Sequence, residues 1–217
     1  MAVAAEAVQR WLPSGGSRPT AVDALTARER TRIVESIFER FGEEDYFGEP
    51  VSHLEHALQC AALAAEAGHD EDVVVAALLH DIGHICAPED ALHMDTDGGP
   101  DVGIVDHESI GGDFLKLLGF SQRVCLLVES HVPAKRYLVS VDREYHDGLA
   151  EDSRRSLMFQ GGMMNEQEVA EFCADSELRD LKLEFRTWDE KGKNPGAETP
   201  PLEFFMPMVE RHLASFA

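Results

Sequence analysis

AALLHDIGH (76–84) closes an apolar run at 73–79 with a histidine followed directly by an aspartate. Asp70 is placed to cap a helix that runs through Val74, Ala77 and Leu78 toward Asp81. A carboxylate at the end of such a run is costly to bury alone, and a metal ion resolves the cost. Successive helical residues point about 100° apart, so His80 and Asp81 do not share one strip, yet both reach an ion beside the helix. The two oxygens of Asp81 can each hold a different ion, which makes it a natural bridge.

Helical signals continue on both sides of this segment. Thr26-x-x-Glu29 reads as a capping box before Ile33, Val34, Ile37 and Phe41, with Gly42 as the stop. Ser52-x-x-Glu55 opens a helix carrying Leu54, Leu58, Ala61, Ala62 and Ala65 that ends at Gly68. Residues 85–105 read as a long polar loop, of a length often tied to function. Helices resume near Asp106 and after Ser121, continue as shorter pieces beyond Pro133, restart at Asn165-x-x-Glu168, and cover 178–188. A last helix over 202–216 is expected to break at Pro207. No alternating pattern of useful length marks a strand. The expected architecture is all-α, a single-domain helical bundle over 21–217, preceded by a loose arm at 1–20 that contains Pro13, Gly15, Gly16 and Pro19.

The composition is that of a soluble globular chain: 217 residues, 44% hydrophobic and 28% charged, with a formal charge of −22. Such a surface repels nucleic acid and anionic membrane, so neither is expected as a partner. The apolar run at 73–79 is far shorter than the 20 or so residues a bilayer requires. No basic stretch followed by an apolar core opens the chain, and a cytoplasmic location is the default expectation. Cys60, Cys86, Cys125 and Cys173 lack CxxC spacing and read as structural or inert thiols.

Other candidate ligands lie far apart in the chain. His56 follows the second capping box, and His131 follows Val124 and Val128 at helical spacing. A lone histidine on an apolar face is more often a hydrogen-bonded core residue than a ligand, so these residues alone leave both readings open. Imidazole with carboxylate suits iron, manganese or zinc. A set of His56, His80, Asp81, His107, His131 and Asp189 is too large for one catalytic ion with open positions, which argues for two.

The segments DYFGE (45–49), LEHALQCA (54–61), AALLHDIGH (76–84), DHESIGGDFLKLLGFSQRV (106–124), HVPAKRYLVS (131–140), DSRRSLMFQGG (152–162) and RTWDEKGK (186–193) occur in unbroken order. Together they resemble the mixed-valent di-iron oxygenase branch of the HD-domain superfamily, a branch that includes the inositol oxygenases and, closer to this chain, the 2-amino-1-hydroxyethylphosphonate dioxygenases. The resemblance implies an Fe(II)/Fe(III) pair with O2 as cosubstrate. It implies one iron on His56, His80, Asp81 and Asp189, and a second on Asp81, His107 and His131 with open positions. It further implies that Tyr46 caps the second iron before substrate arrives, that Glu49 pairs with a cationic nitrogen of the substrate, and that Lys135, Ser153 and Arg186 hold a phosphonate, with Ser156 a weaker candidate. His84 is implied to lie near the site.

The implied substrate is a small zwitterionic 1-hydroxyphosphonate, either 2-amino-1-hydroxyethylphosphonate or its N-trimethyl analogue. Its C–P bond is cleaved to a carboxylic acid (glycine or glycine betaine) and phosphate. Phe47 beside Tyr46 brings a second aromatic ring, which favours a methylated ammonium. Lys135 and Arg186 fit the clamp as cations in a very acidic chain, each within four residues of a candidate ligand. The main rival is an HD-domain metal-dependent phosphohydrolase, in which two ions activate water; a third reading is a non-catalytic metal-binding module. His53, His69, His93, His146 and His212 have no place in the pattern and read as structural or surface groups.

Overall fold

The computed structural model describes residues 25–95 and 101–216; the expected arm at 1–20 lies outside them, as do 96–100 of the expected loop. Twelve helices make up the described fold, numbered here in chain order: α1 (Ala27–Phe41), α2 (His53–Glu66), α3 (Glu71–Leu79), α4 (Ile82–Cys86), α5 (His107–Leu117), α6 (Gln122–Val128), α7 (His131–Val141), α8 (Arg143–Gly148), α9 (Glu151–Phe159), α10 (Glu166–Phe172), α11 (Ser176–Lys191) and α12 (Leu202–Ser215). Pairing between strands is limited, among the described residues, to two isolated antiparallel bridges, Asp45 with Ser52 and His93 with Ile104. The all-α bundle expected from the sequence is the observed class.

The three capping boxes form as read. Thr26, Ser52 and Asn165 each accept a hydrogen bond from the backbone N–H three residues on, and Glu29, Glu55 and Glu168 reach back to the cap. Gly68 follows the C-cap of α2 at φ +83, a left-handed turn that glycine adopts without steric cost. The central element is α3. Val73 to Leu79 are all buried, so this helix is apolar on every side, as a core helix must be. It packs against α2, α6 and α12, and α11 closes over α2 and α7. Phe114, Phe185 and Phe205 fill the interior around it.

Three local expectations are corrected. Helix α3 stops at Leu79, with His80 as C-cap, and Asp81 leaves the helical region at φ −104, ψ 11. The sequence reading carried the helix on toward Asp81; the turn instead re-aims its carboxylate before α4 begins. Pro133 lies in the first turn of α7, where a missing N–H costs nothing. Pro207 lies inside α12, which continues past it. It removes one intrahelical bond without breaking the helix, because Phe205, Met206 and Val209 are buried around it.

The described residues at 87–95 and 101–106 are less polar in their packing than their composition suggests. Around the His93–Ile104 bridge, Met94, Val102 and Ile104 are buried. Helices α4 and α5 meet closely: a Cβ on Gly83 would sit 1.9 Å from the His107 carbonyl oxygen. Glycine in HDIGH thus brings the start of α5, and with it His107, up against the Asp81 turn.

Candidate metal centre and its pocket

Six side chains converge from the ends of five helices. His56 lies in the first turn of α2, His80 and Asp81 in the break between α3 and α4, His107 and His131 at the first positions of α5 and α7, and Asp189 in the last turn of α11. His56 Nε2 stands 3.1 Å from His80 Nε2 and 3.5 Å from both Asp81 Oδ2 and Asp189 Oδ1. His80 Nε2 is 3.3 Å from Asp81 Oδ2. On the other side of the same carboxylate, Asp81 Oδ1 is 3.5 Å from His107 Nε2 and 3.3 Å from His131 Nε2. Those two ring nitrogens are 2.8 Å apart. Three groups of possible ligands result: His56–His80–Asp81–Asp189 and Asp81–His107–His131, to both of which Asp81 is common, and His56–Cys60–His80, which overlaps the first.

The hydrogen bonds behind the rings fix their chemistry. A carbonyl only accepts, so each Nδ1 bonded to one carries the proton. His80, His107 and His131 donate to the carbonyls three residues upstream, Ala77, Ile104 and Val128, at 2.9, 3.1 and 2.9 Å. His56 donates to Gly192 at 2.9 Å. All four Nε2 atoms therefore point inward as the positions left for a metal, the arrangement of metal-binding imidazoles. Asp81 Oδ1 is buried and has no hydrogen-bond partner among the described residues. Imidazole Nε2 atoms 2.8–3.1 Å apart in two pairs, with an orphaned carboxylate oxygen between them, are what a cation would resolve, so the donor set fits two metal ions of the iron, manganese or zinc type.

Burial alone would push the Asp81 and Asp189 carboxyls up. The imidazoles around Asp81, and Arg186 beside Asp189, hold both well below the usual carboxylate range. Burial takes the His131 ring down to about 3, keeping it neutral and available as a ligand.

A pocket of mixed polarity opens beside the second group. It is lined by Asp81, His107 and His131 together with Tyr46, Glu49, Lys135, Ser153, Ser156 and Arg186, whereas His56 and His80 are not part of its wall. Lys135 is buried and donates to Ser156 Oγ at 2.8 Å. Burial, with Arg186 nearby, pulls its ammonium down to about 7. Arg186 is buried too. It donates to Asp189 through Nη1, to the Tyr145 hydroxyl at 3.1 Å and to Ser153 Oγ at 3.4 Å, and it pairs with Glu190 at 3.2 Å. One guanidinium therefore ties a candidate ligand to the candidate anion site.

Tyr46 donates its hydroxyl to Asp81 Oδ2 at 2.5 Å and stacks on His56, with ring centroids 4.3 Å apart. Burial and the Asp81 carboxylate raise its phenol well above the ordinary value. Phe47, next to it, has φ 42, an unusual left-handed backbone for a bulky residue. His84 accepts from the Ile104 N–H at 3.1 Å through Nδ1, so its Nε2 carries the proton; its ring stacks on His107 at 3.8 Å. Of the histidines left out of the pattern, His69, His93, His146 and His212 pair with Glu184, Asp101, Asp147 and Asp72. His53 is different: it is buried edge-on against Tyr46 and Phe47, part of the wall behind the pocket. All four cysteines remain thiols; Cys60 donates to the Trp188 carbonyl at 3.5 Å, and burial raises Cys125 to about 12.

Sequence reasoning missed several pocket residues. Lys193 forms an ion pair with Glu49 at 2.9 Å. Gln160 lines the pocket with a buried Oε1 that has no hydrogen-bond partner among the described residues, and Met94 and Val102 supply apolar wall. The signal for Lys193 was available: it lies four residues after Asp189, mirroring Arg186 three residues before it.

Comparison with known proteins gives consistent results. Residues 53–179 match the HD domain family. The chain is 42% identical over 190 residues, 88% of its length and 93% of the relative's, to a [1-hydroxy-2-(trimethylamino)ethyl]phosphonate dioxygenase (glycine-betaine-forming) of Leisingera caerulea. It is 36% identical over 181 residues, 82% and 86% of the two lengths, to a hydroxymethylphosphonate dioxygenase of Gimesia maris. An uncharacterized protein of Acanthamoeba polyphaga mimivirus is 34% identical over 186 residues.

Proposed function

Because the chain belongs to the HD-domain family, and within it to the oxygenase branch that includes phosphonate dioxygenases, we propose that it is a di-iron oxygenase that cleaves the C–P bond of a small 1-hydroxyphosphonate. The products are a carboxylate and inorganic phosphate, glycine betaine or glycine where the substrate carries the corresponding amine. The observation that carries this reading is the shared pocket: the three-ligand group Asp81–His107–His131 faces the same cavity as the buried cations Lys135 and Arg186 and the carboxylate Glu49.

One iron would be held by His56, His80, Asp81 and Asp189, the other by Asp81, His107 and His131. Together they would supply the redox chemistry through which O2 gives one oxygen atom to the carboxylate and one to phosphate. The chain's own residues do the positioning. Lys135, Arg186 and Ser153 bind the phosphonate, the guanidinium offering a fork to two of its oxygens. Glu49 holds a cationic head at the opposite end, and the two anchors fix the C1–H bond between them. The Tyr46 phenol lines the pocket and is bonded to Asp81 Oδ2, the oxygen that faces His56 and His80, so it would have to swing across the carboxylate to cap the three-ligand group before substrate arrives. His84 stacks behind His107 and steadies that ring. No helix among the described residues is long and apolar enough to cross a membrane, and a cytoplasmic location belongs to the same reading.

The deciding experiment incubates iron-loaded protein with 1-hydroxy-2-(trimethylamino)ethylphosphonate and with 2-amino-1-hydroxyethylphosphonate, in air and under argon. Phosphate release is expected in air alone, with one O2 consumed per phosphate. Release that proceeds equally under argon would move the assignment to a water-activating phosphohydrolase.

A pH dependence follows from Lys135. With its ammonium lowered to about 7, the free enzyme loses this cation as pH rises through that value, and a phosphonate dianion then binds less well. KM is expected to climb above pH 7, by up to about tenfold per unit, while Lys135→Met shows a higher KM without this break. The substrate's own ionisation is common to both proteins and cancels in their ratio. A parallel pH profile for the two would remove Lys135 from the anion site.

A further inference from the structure

We infer that Lys193 is an internal cation seated in the recess that receives the substrate's head, and that it sets the preference between hydroxyphosphonates with and without a cationic head. The inference rests on the hydroxyphosphonate reading above and adds a specificity-determining residue to it.

Lys193 Nζ lies 2.9 Å from Glu49 Oε1 and 5.2 Å from the centroid of the Tyr46 ring. A carboxylate and an aromatic face are the two groups that recognise an alkylammonium, and here the chain's own ammonium occupies both. The pair is only partly shielded, each side chain being 19% exposed, so exchange with a ligand is not blocked by burial. The backbone beneath is pinned. The carbonyl of Gly192 accepts from His56, and a Cβ on Gly192 would meet Cys60 Sγ at 2.7 Å. Any movement of Lys193 is therefore confined to its long side chain.

A place to move to is present. A second cavity lies beside the pocket, and Lys193 and Ser153 belong to the walls of both; Glu190, which pairs with Arg186 and accepts from the Tyr145 hydroxyl, also lines it. Lys193 thus borders two cavities that each hold a carboxylate, Glu49 in the pocket and Glu190 in its neighbour. A substrate with a cationic head takes Glu49 and sends Lys193 toward Glu190. A substrate without one leaves the Glu49–Lys193 pair in place, so the recess stays neutral and Glu49 does not repel a doubly charged phosphonate. The same side chain opposes the first class and supports the second.

The test measures KM, and anaerobic binding by calorimetry, for 1-hydroxy-2-(trimethylamino)ethylphosphonate and for hydroxymethylphosphonate, using iron-loaded parent, Lys193→Met and Lys193→Gln. Both variants are expected to bind the trimethylammonium compound about three- to tenfold more tightly and hydroxymethylphosphonate more weakly by a similar factor. Opposite shifts cannot come from a damaged fold, because each compound controls for the other. Weaker binding of both compounds, or no shift in either, overturns the inference and makes Lys193 a mere support for Glu49. If the parent enzyme turns over neither compound, the functional reading itself is lost.

Discussion

Asp81→Ala protein is expected to purify with less than about a tenth of the parent's iron and with no measurable turnover. Hydrogen-bond partners behind metal ligands are worth about 10–100-fold in metal affinity. A carboxylate that faces both ligand groups is worth more than that at each of them. Its Oδ1 lies within 3.5 Å of two imidazole nitrogens and has no hydrogen-bond partner among the described residues, while Oδ2 lies within 3.5 Å of two others. Removing it leaves His107 and His131 as a two-ligand remnant. Melting curves supply a readout independent of turnover. A strong chelator is expected to lower the parent's Tm, because bound metal contributes to folding free energy, and to leave Asp81→Ala unchanged. Two irons per chain in the variant, by elemental analysis, would dissolve the bridging assignment.

The second large effect is expected at Arg186. Truncating one partner of a buried ion pair leaves an uncompensated charge and costs about 3 kcal/mol or more. Arg186 and Asp189 are both about 95% buried, with side-chain exposures of 5%. For a chain of this size that loss corresponds to a fall in Tm of roughly 6–12 °C. The fall is expected to be larger after chelator treatment than with iron bound, since an ion beside Asp189 offsets part of the missing guanidinium. Arg186→Lys separates the two roles. It keeps a charge near Asp189 and most of the stability, but loses the fork, so its KM for the phosphonate rises while its melting point stays close to the parent's. An Arg186→Ala protein with the parent's melting point would show that Asp189 does not depend on this partner.

The legible parts of the fold were those written in short-range chemistry. Thr26, Ser52 and Asn165 with their partners three residues on announce helix starts whatever the rest of the chain does, and all three boxes form. The run at 73–79 announces a core helix by its lack of any polar face. What failed to show was set by tertiary contact. The turn at Asp81 arises where Gly83 lets α4 meet α5, a contact between residues 24 apart in sequence. Pro207 reads as a break, yet the packing of its neighbours carries α12 through it.

The site follows the same division. The HD pair and the spacing of His131 drew attention to candidate ligands, but convergence of six distant side chains is a property of the bundle. The sequence offers Lys193 as a cation close to Asp189, but not its pairing with Glu49, which is 144 positions away. His53 reads from sequence as a structural or surface group, since nothing in its neighbourhood in the chain indicates that it packs edge-on against Tyr46.

The backbone carbonyls that accept from His56, His80, His107 and His131 have a consequence for which ion is taken up. Rings held by the main chain present the same nitrogens at the same separations to any incoming ion, and nothing in their arrangement favours ferrous iron over its neighbours in the periodic table. By the ordinary order of divalent affinities, zinc or copper outcompetes iron at such a site when both are offered freely. On the di-iron reading, the choice of iron then falls to the supply that a cell maintains, and protein prepared in zinc-rich buffer would be well folded, fully metallated and silent.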